Sequence, residues 1–167
     1  ASVAVGHALG LDPATLRLGL ASFHPTFEQN PGRANLIEAN GLSVLIDYAH
    51  NVSALEALDG LMGALGNRRR IAVASAPGNR RDTDLHALGA QLGRMIDHLF
   101  LCETLPRDRQ PGETPQLLRT GAESAIPRRA TIEVVLEEPD AVNRALNDAE
   151  EGDLVLLLVE DVEAAIE

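Results

Sequence analysis

Short aliphatic runs alternate along the chain with longer stretches whose apolar residues recur every three or four positions. Residues 42–47, 70–75, 98–102, 131–136 and 153–159 read as strands, and the near-continuous apolar character of several marks them as buried on both faces. Residues 52–65 place Leu55, Leu58, Leu61, Met62 and Leu65 on one helical face, and 83–95 do the same with Leu85, Leu88, Leu92 and Met95. Residues 114–124, 138–149 and 161–166 read as further helices, and 34–39 pairs with 42–47 as a hairpin across Asn40-Gly41. A hairpin followed by strand–helix units predicts an α/β fold. It is a Rossmann-like, mostly parallel mixed sheet with one antiparallel edge strand and helices on both faces.

A short helical segment precedes this sheet. Residues 2–9 and 13–22 read as two helices, with Asp12 as N-cap, Pro13 at the first helical position, and Leu16, Leu20 and Phe23 on an apolar face. Residues 24–33 hold two prolines and a glycine and read as a linker. The expected division is residues 1–30 as a helical tail plus linker and 31–167 as the sheet domain.

Composition narrows the chemistry. The 167 residues are 45% hydrophobic but only 2% aromatic, so the core must be built from Leu, Val, Ile and Ala. A net charge of −11 argues against a nucleic-acid or anionic-membrane partner. The longest apolar run, Leu154 to Val159, is too short to span a bilayer. All 14 basic residues are Arg, which excludes a Lys-containing phosphate loop and a Lys nucleophile within the chain. The single Cys102 excludes an internal disulfide, fits a reducing cytoplasm, and reads as a small core residue. There is no initiating Met, which fits a piece of a longer polypeptide.

Polar residues collect where strands hand over to helices, the crevice where open α/β sheets bind ligands. Asp47, His50 and Asn51 follow the first buried strand. Asp47 there suits a ribose hydroxyl and His50 a phosphate oxygen or a base. Equally, Asp47 or Asn51 suits a helix cap, with His50 a turn histidine. Arg33, in a Pro-Gly turn, suits a bidentate grip on phosphate or carboxylate, or is a solvated linker residue. Gly78 to Asp82 follows the next strand; its backbone amides suit an anion, with Arg80 and Arg81 adding charge and Asp82 capping a helix from Thr83. The loop Glu103 to Glu113 carries mixed charge, including Arg107, Asp108 and Arg109. Glu160 and Asp161 have no companion at metal-ligand spacing, and no G-x-G-x-x-G supports a self-contained dinucleotide site.

Pro31-Gly32-Arg33-x-Asn35 followed by Asp47-Tyr48-Ala49-His50-Asn51 resembles the C-terminal domain of the Mur ligase family of ATP-dependent amide-bond ligases. Arg80-Arg81-Asp82-x-Asp84-Leu85, and Arg107-x-Arg109-x-Pro111-Gly112-Glu113, are most similar to the Mur-like C-terminal part of the cyanophycin synthetases. That branch has an acidic run and a Leu where this chain has Glu103 and Pro106.

The resemblance implies a lid closing on ATP, with Arg33, Asp47, His50 and Asn51 at the nucleotide. Arg80, Arg81, Glu103, Arg107, Asp108 and Arg109 would lie toward the incoming amino acid. It implies Mg²⁺ and ATP held mainly by a central domain outside this chain, arginine as the amino acid, a poly-aspartate-like acceptor, and an isolated chain without activity. Glu103 or Asp108 would then meet the arginine guanidinium. Homo-oligomerisation of the parent enzyme is left open. The contrasting reading is a non-catalytic Rossmann-like module for a nucleotide or a partner.

Overall fold

The computed structural model describes residues 2–23, 26 and 29–159. Two helices come first, α1 (Ser2–Ala8) and α2 (Pro13–Ala21). Asp12 caps α2, its Oδ1 accepting from Ala14 N at 2.8 Å and Thr15 N at 3.0 Å. The bond from the Thr15 amide is the main reason that the Asp12 carboxyl lies below the usual range. There follow β1 (Asn35–Ala39), β2 (Leu42–Asp47), α3 (Val52–Ala64), β3 (Arg70–Ala74), α4 (Asp82–Met95) and β4 (His98–Leu101). The chain continues through α5 (Glu113–Glu123), β5 (Thr131–Val134), α6 (Glu138–Asp148) and β6 (Leu154–Leu158). Each expected element before residue 159 is present within two residues of its expected ends, while the helix expected at 161–166 lies outside the described residues. Among the described residues no helix is long and apolar enough to cross a membrane.

The strands form one mixed sheet in the order β1-β2-β6-β3-β4-β5, with β1 antiparallel to β2 and every other pairing parallel. Asn40 (φ 52°) and Gly41 (φ 78°) make the two-residue turn of the hairpin, both in the left-handed region that such a turn requires. Leu154-Val155-Leu156-Leu157-Leu158 is wholly buried and stands between β2 and β3. Leu45, Ala72, Leu99 and Leu156 pack on one face with α3, α4 and α5; Ile46, Ile71, Phe100 and Leu157 pack on the other with α6. Helices therefore lie on both faces, as the pattern predicts.

Helices α4 and α5 approach so closely that only glycine fits between them. A Cβ at Gly89 would strike the Leu118 carbonyl, and one at Gly121 would strike the His86 carbonyl. Gly89 and Gly93 are four apart, the spacing that lets helix backbones nearly touch. At the opposite end of the strands from the loops that follow them, three consecutive arginines fan out. Arg68 donates to Ser43 Oγ, Arg69 to Asp148 (2.5 Å) and Asp153 (3.1 Å), and Arg70 to Asp59 (2.6 Å). His98 joins this cluster, 2.8 Å from Asp148 and 3.0 Å from Glu133.

One local expectation is corrected. Helix α4 begins at Asp82, not Thr83, and the N-cap position belongs to Arg81, which makes no side-chain cap bond. Asp82 is turned instead to Arg109 at 2.6 Å, while Asp82 and Asp84 together supply negative charge to the first turn.

Replacing Gly121 by Ala should lower the unfolding free energy by about 1–3 kcal/mol in urea titration, because the backbone of α4 cannot give way. Gly60, in α3 with open space around its missing side chain, should respond oppositely, Gly60→Ala gaining about 0.5–1 kcal/mol. Burial alone would push the Asp148 carboxyl up, but bonds from His98 and Arg69 overcome it and leave the group below the usual range. A depressed carboxyl stabilises the fold above its unfolded-state pKa and loses that contribution as pH falls through the folded one. Asp148→Asn should thus lower the melting temperature near neutral pH, and its gap from wild type should shrink as the pH drops below about 4.

Candidate functional site

The strand order turns back at β2, β6 and β3, and their carboxyl ends open a cavity of about 110 Å³. Tyr48 and His50 after β2, Ser75, Pro77 and Arg80 after β3, and Leu158 of β6 line it. This is the switch-point crevice where open α/β sheets take ligands.

The segment before β1 is clamped to this crevice. Gly32 (φ 69°) and Ala34 (φ 51°) are both left-handed, and an L side chain at such a φ is held there only by its surroundings. Here the surroundings are explicit. Asp47 Oδ2 accepts from Ala34 N at 2.8 Å, buried Asn35 Oδ1 accepts from Gly32 N at 2.7 Å, and Asn35 Nδ2 donates to Asn30 O at 3.1 Å. Tyr48 N donates to Gly32 O at 3.0 Å. Arg33 thus leaves the backbone from a fixed turn, and its guanidinium carbon lies 5.5 Å from the centre of the Tyr48 ring. Tyr48 in turn meets the His50 ring edge-on at 5.7 Å. His50 Nδ1 is 3.0 Å from Tyr48 O; a carbonyl can only accept, so Nδ1 carries the proton and Nε2 is left for a ligand.

Of the expected nucleotide residues, Arg33, Asp47 and His50 come together around Tyr48. Asn51 lies beside them but uses its Oδ1 to cap α3 through Ala54 N at 3.0 Å. The expected amino-acid residues divide. Arg80 lines the cavity and makes no side-chain hydrogen bond among the described residues, though Asp84 feels its charge. Arg81 points away, 81% exposed and paired with Asp84 at 2.9 Å, which raises its pKa. Glu103 Oε2 accepts from Gly112 N at 2.8 Å and closes the 103–113 loop, while its buried Oε1 meets no donor. Arg107, at φ 52°, and Asp108 are exposed on that loop with unengaged side chains among the described residues. Arg109 is spent within the chain, on Gly78, Arg80, Asp82 and Glu113.

Two residues escaped the reading of single positions. Tyr48 is the chain's one tyrosine, in a protein with 2% aromatics, and that scarcity is the signal that marks it. Ser75 carries no signal in the sequence; it reaches the cavity only because β3 pairs with β6. Cys102 is buried, its pKa pushed up to about 12 by burial and by nearby Glu138, so it keeps its proton and is no nucleophile. Among the described residues no three His, Cys, Asp or Glu side chains gather as a metal site.

A doubly wound α/β domain with cationic and imidazole groups at its switch point presents them where open α/β sheets take ligands. Residues 32–158 match the family described as Mur ligase, glutamate ligase domain, and the chain belongs to that family. It is 37% identical over 159 residues to cyanophycin synthetase of Synechocystis sp., covering 95% of this chain and 18% of that enzyme. The structure of E. coli FolC in complex with DHPP and ADP superimposes with a TM-score of 0.70 at 28% identity, over 93% of this chain and 34% of FolC. MurF ligase from Thermotoga maritima in complex with ADP gives 0.65 at 18% identity, over 99% of this chain and 35% of MurF, a likeness of fold. The chain therefore spans about a fifth to a third of these relatives.

Asn35→Ala should lower the unfolding free energy by about 2–3 kcal/mol in urea titration, because it strands the buried Gly32 amide. Arg33→Ala, removing an exposed side chain held by one ring contact, should change it by less than about 1 kcal/mol.

Proposed function

We propose that this chain is the C-terminal lid of an ATP-dependent acid–amino-acid ligase of the cyanophycin synthetase type. The observation that carries this is a half-built site at the switch point of a Mur-family domain. Its cavity of about 110 Å³ is well below the ~300 Å³ at which small-molecule pockets begin, so it is one wall of a nucleotide site, not the whole. That wall offers Arg80 and His50 Nε2, with Arg33 held beside it on Tyr48. With no Lys in the chain, the phosphate loop has to come from elsewhere.

Residues 1–30 then belong to the tail and linker of a preceding ATPase domain. The character of α1 and α2 supports this: α2 has no buried residue, and Val3, Leu11, Leu16, Leu20 and Phe23 line an open apolar groove of about 510 Å³. Residues 31–167 form the lid, in the cytoplasm.

In this reading Arg33 and Arg80 neutralise phosphate charge as a substrate carboxylate is phosphorylated by ATP, and Asp47 fixes the turn that aims Arg33. Mg²⁺ would bridge the phosphates from the preceding domain. Arg107 and Asp108, both unengaged, receive the incoming amino acid: the guanidinium takes its carboxylate, and Asp108 meets the guanidinium of arginine. Arginine then joins a poly-aspartate-like acceptor.

The test is ADP release by the parent polypeptide with a poly-aspartate primer, offering each amino acid in turn. Release should depend on arginine and fall at least ~10-fold in Arg33→Ala and in Asp47→Ala, and the isolated chain should release none. Release with a different amino acid discards arginine and keeps the ligase. No release with any amino acid leaves the non-catalytic module.

A further inference from the structure

We infer that Arg109 is a positioning residue that straps the 103–113 loop to the 77–82 loop, and so couples occupancy of the nucleotide side of the cleft to that of the amino-acid side. The inference rests on the ligase reading for what the two sides bind. The strap itself rests on geometry alone.

Arg109 sits on a polar loop, yet its side chain is only 14% exposed. Its Nε donates to Gly78 O at 2.7 Å, and Nη2 donates to Arg80 O at 2.8 Å and to Asp82 Oδ1 at 2.6 Å. Nη1 donates to Glu113 Oε1 at 2.6 Å. The guanidinium therefore spans the turn that carries Arg80 and links the first residue of α4 to the first residue of α5. Bonds to Asp82 first, then Glu113, raise its pKa further.

The two loops also meet backbone to backbone. Gly78 N donates to Leu105 O at 2.9 Å, and a Cβ at position 78 would run into the Pro106 carbonyl. Arg109 N donates to Pro106 O at 3.0 Å, closing the turn in which Arg107 is held at φ 52°. One side chain thus fixes both the backbone under Arg80 and the turn that presents Arg107. Arg80 lines the cavity, and Arg107 is exposed on the 103–113 loop, which the ligase reading gives to the amino acid. A residue whose donors are committed in this way is poorly suited to grip a substrate, and well suited to keep two substrate-gripping residues at a set distance. Lys could not replace it, because a single ammonium cannot reach two carbonyls and two carboxylates in a planar fork.

The test uses the parent polypeptide, measuring ADP release against ATP and against arginine, together with amide hydrogen exchange at Gly78. Arg109→Gln should raise KM for both substrates by ~10-fold or more and speed exchange at Gly78 by a similar factor, with Arg109→Lys restoring little. Arg80→Gln should raise KM for ATP alone, and Arg107→Gln KM for arginine alone. Asp82→Asn, which loosens the strap at its exposed end, should shift both KM values less and in the same direction. It decides the matter if Arg109→Gln does not fold. A change in only the arginine KM of Arg109→Gln would make Arg109 a direct substrate contact and overturn the inference. Unchanged exchange at Gly78 would overturn it too. If the wild type releases no ADP, the ligase reading falls, and the exchange rate alone decides whether Arg109 joins the loops.

Discussion

The fold depends on the insertion of β6 between β2 and β3. Without Leu154 to Leu158 the sheet is two pieces, the β1–β2 hairpin and the β3–β4–β5 ladder, because β2 and β3 make no bonds to each other. Every residue of β6 is buried, so its aliphatic side chains join both cores at once, Leu156 on the side of α3 to α5 and Leu157 on the side of α6. The last strand among the described residues thus completes the sheet, and long-range pairing of that kind carries a large loop-closure entropy. The same insertion makes the site. Tyr48 and His50 leave one neighbour of β6, and Ser75 and Arg80 leave the other, so the cavity between them exists only where β6 holds the two strands one strand apart.

Arginine does two jobs in this chain, and its surroundings decide which. At the amino ends of the strands Arg69 meets Asp148 and Asp153, far along the chain, and Arg70 meets Asp59 of the preceding helix. These pairs lock α3 and α6 to the sheet, and being partly exposed they are worth more as geometry than as free energy. At the carboxyl ends Arg33, Arg80 and Arg107 form no close ion pair among the described residues, although Asp84 feels the charge of Arg80 and the chain carries 25 acidic residues against 14 basic ones. Of these, Arg80 lines the crevice, and a cation at such a position favours anions there. Two of the three stand at left-handed backbone: Arg33 is followed by Ala34 at φ 51°, and Arg107 itself has φ 52°.

Strand and helix identities were legible because the apolar period switches cleanly between the two, and Asn40-Gly41 announces its turn. The order of the strands was not. Nothing in Leu154 to Leu158 says that it enters the middle of the sheet; that follows from which surfaces remain to be covered. The motif residues around Asp47 were legible as a group, but their division of labour was not. Asp47 and Asn35 hold the backbone, while Arg33 and His50 contact Tyr48, a distinction that depends on bonds between residues 13 positions apart. Arg109 shows the same limit from the other side. Its charge and its place in a polar loop point to a ligand, and only the folded contact with Gly78 and Arg80 shows that its donors are already used. The α4 start was misplaced by one residue because Asp82, a good cap by type, is drawn to Arg109 instead.

The glycines show how this domain is made rigid within itself. Gly89 and Gly121 let α4 and α5 touch backbone to backbone, and Gly78 does the same for the loops that lead into those helices. Contacts of that kind have no side chain to rotate, so the loops move with the helices or not at all. The cations they carry are therefore presented at fixed separations, which under the proposed function would lower the reorganisation needed when charge develops on a phosphate. What the wall cannot supply is enclosure. A shallow cavity with unpaired arginines at its edge is stable in water, where they are solvated. In the proposed ligase it would become a strong electrostatic site only when a second surface excludes that water.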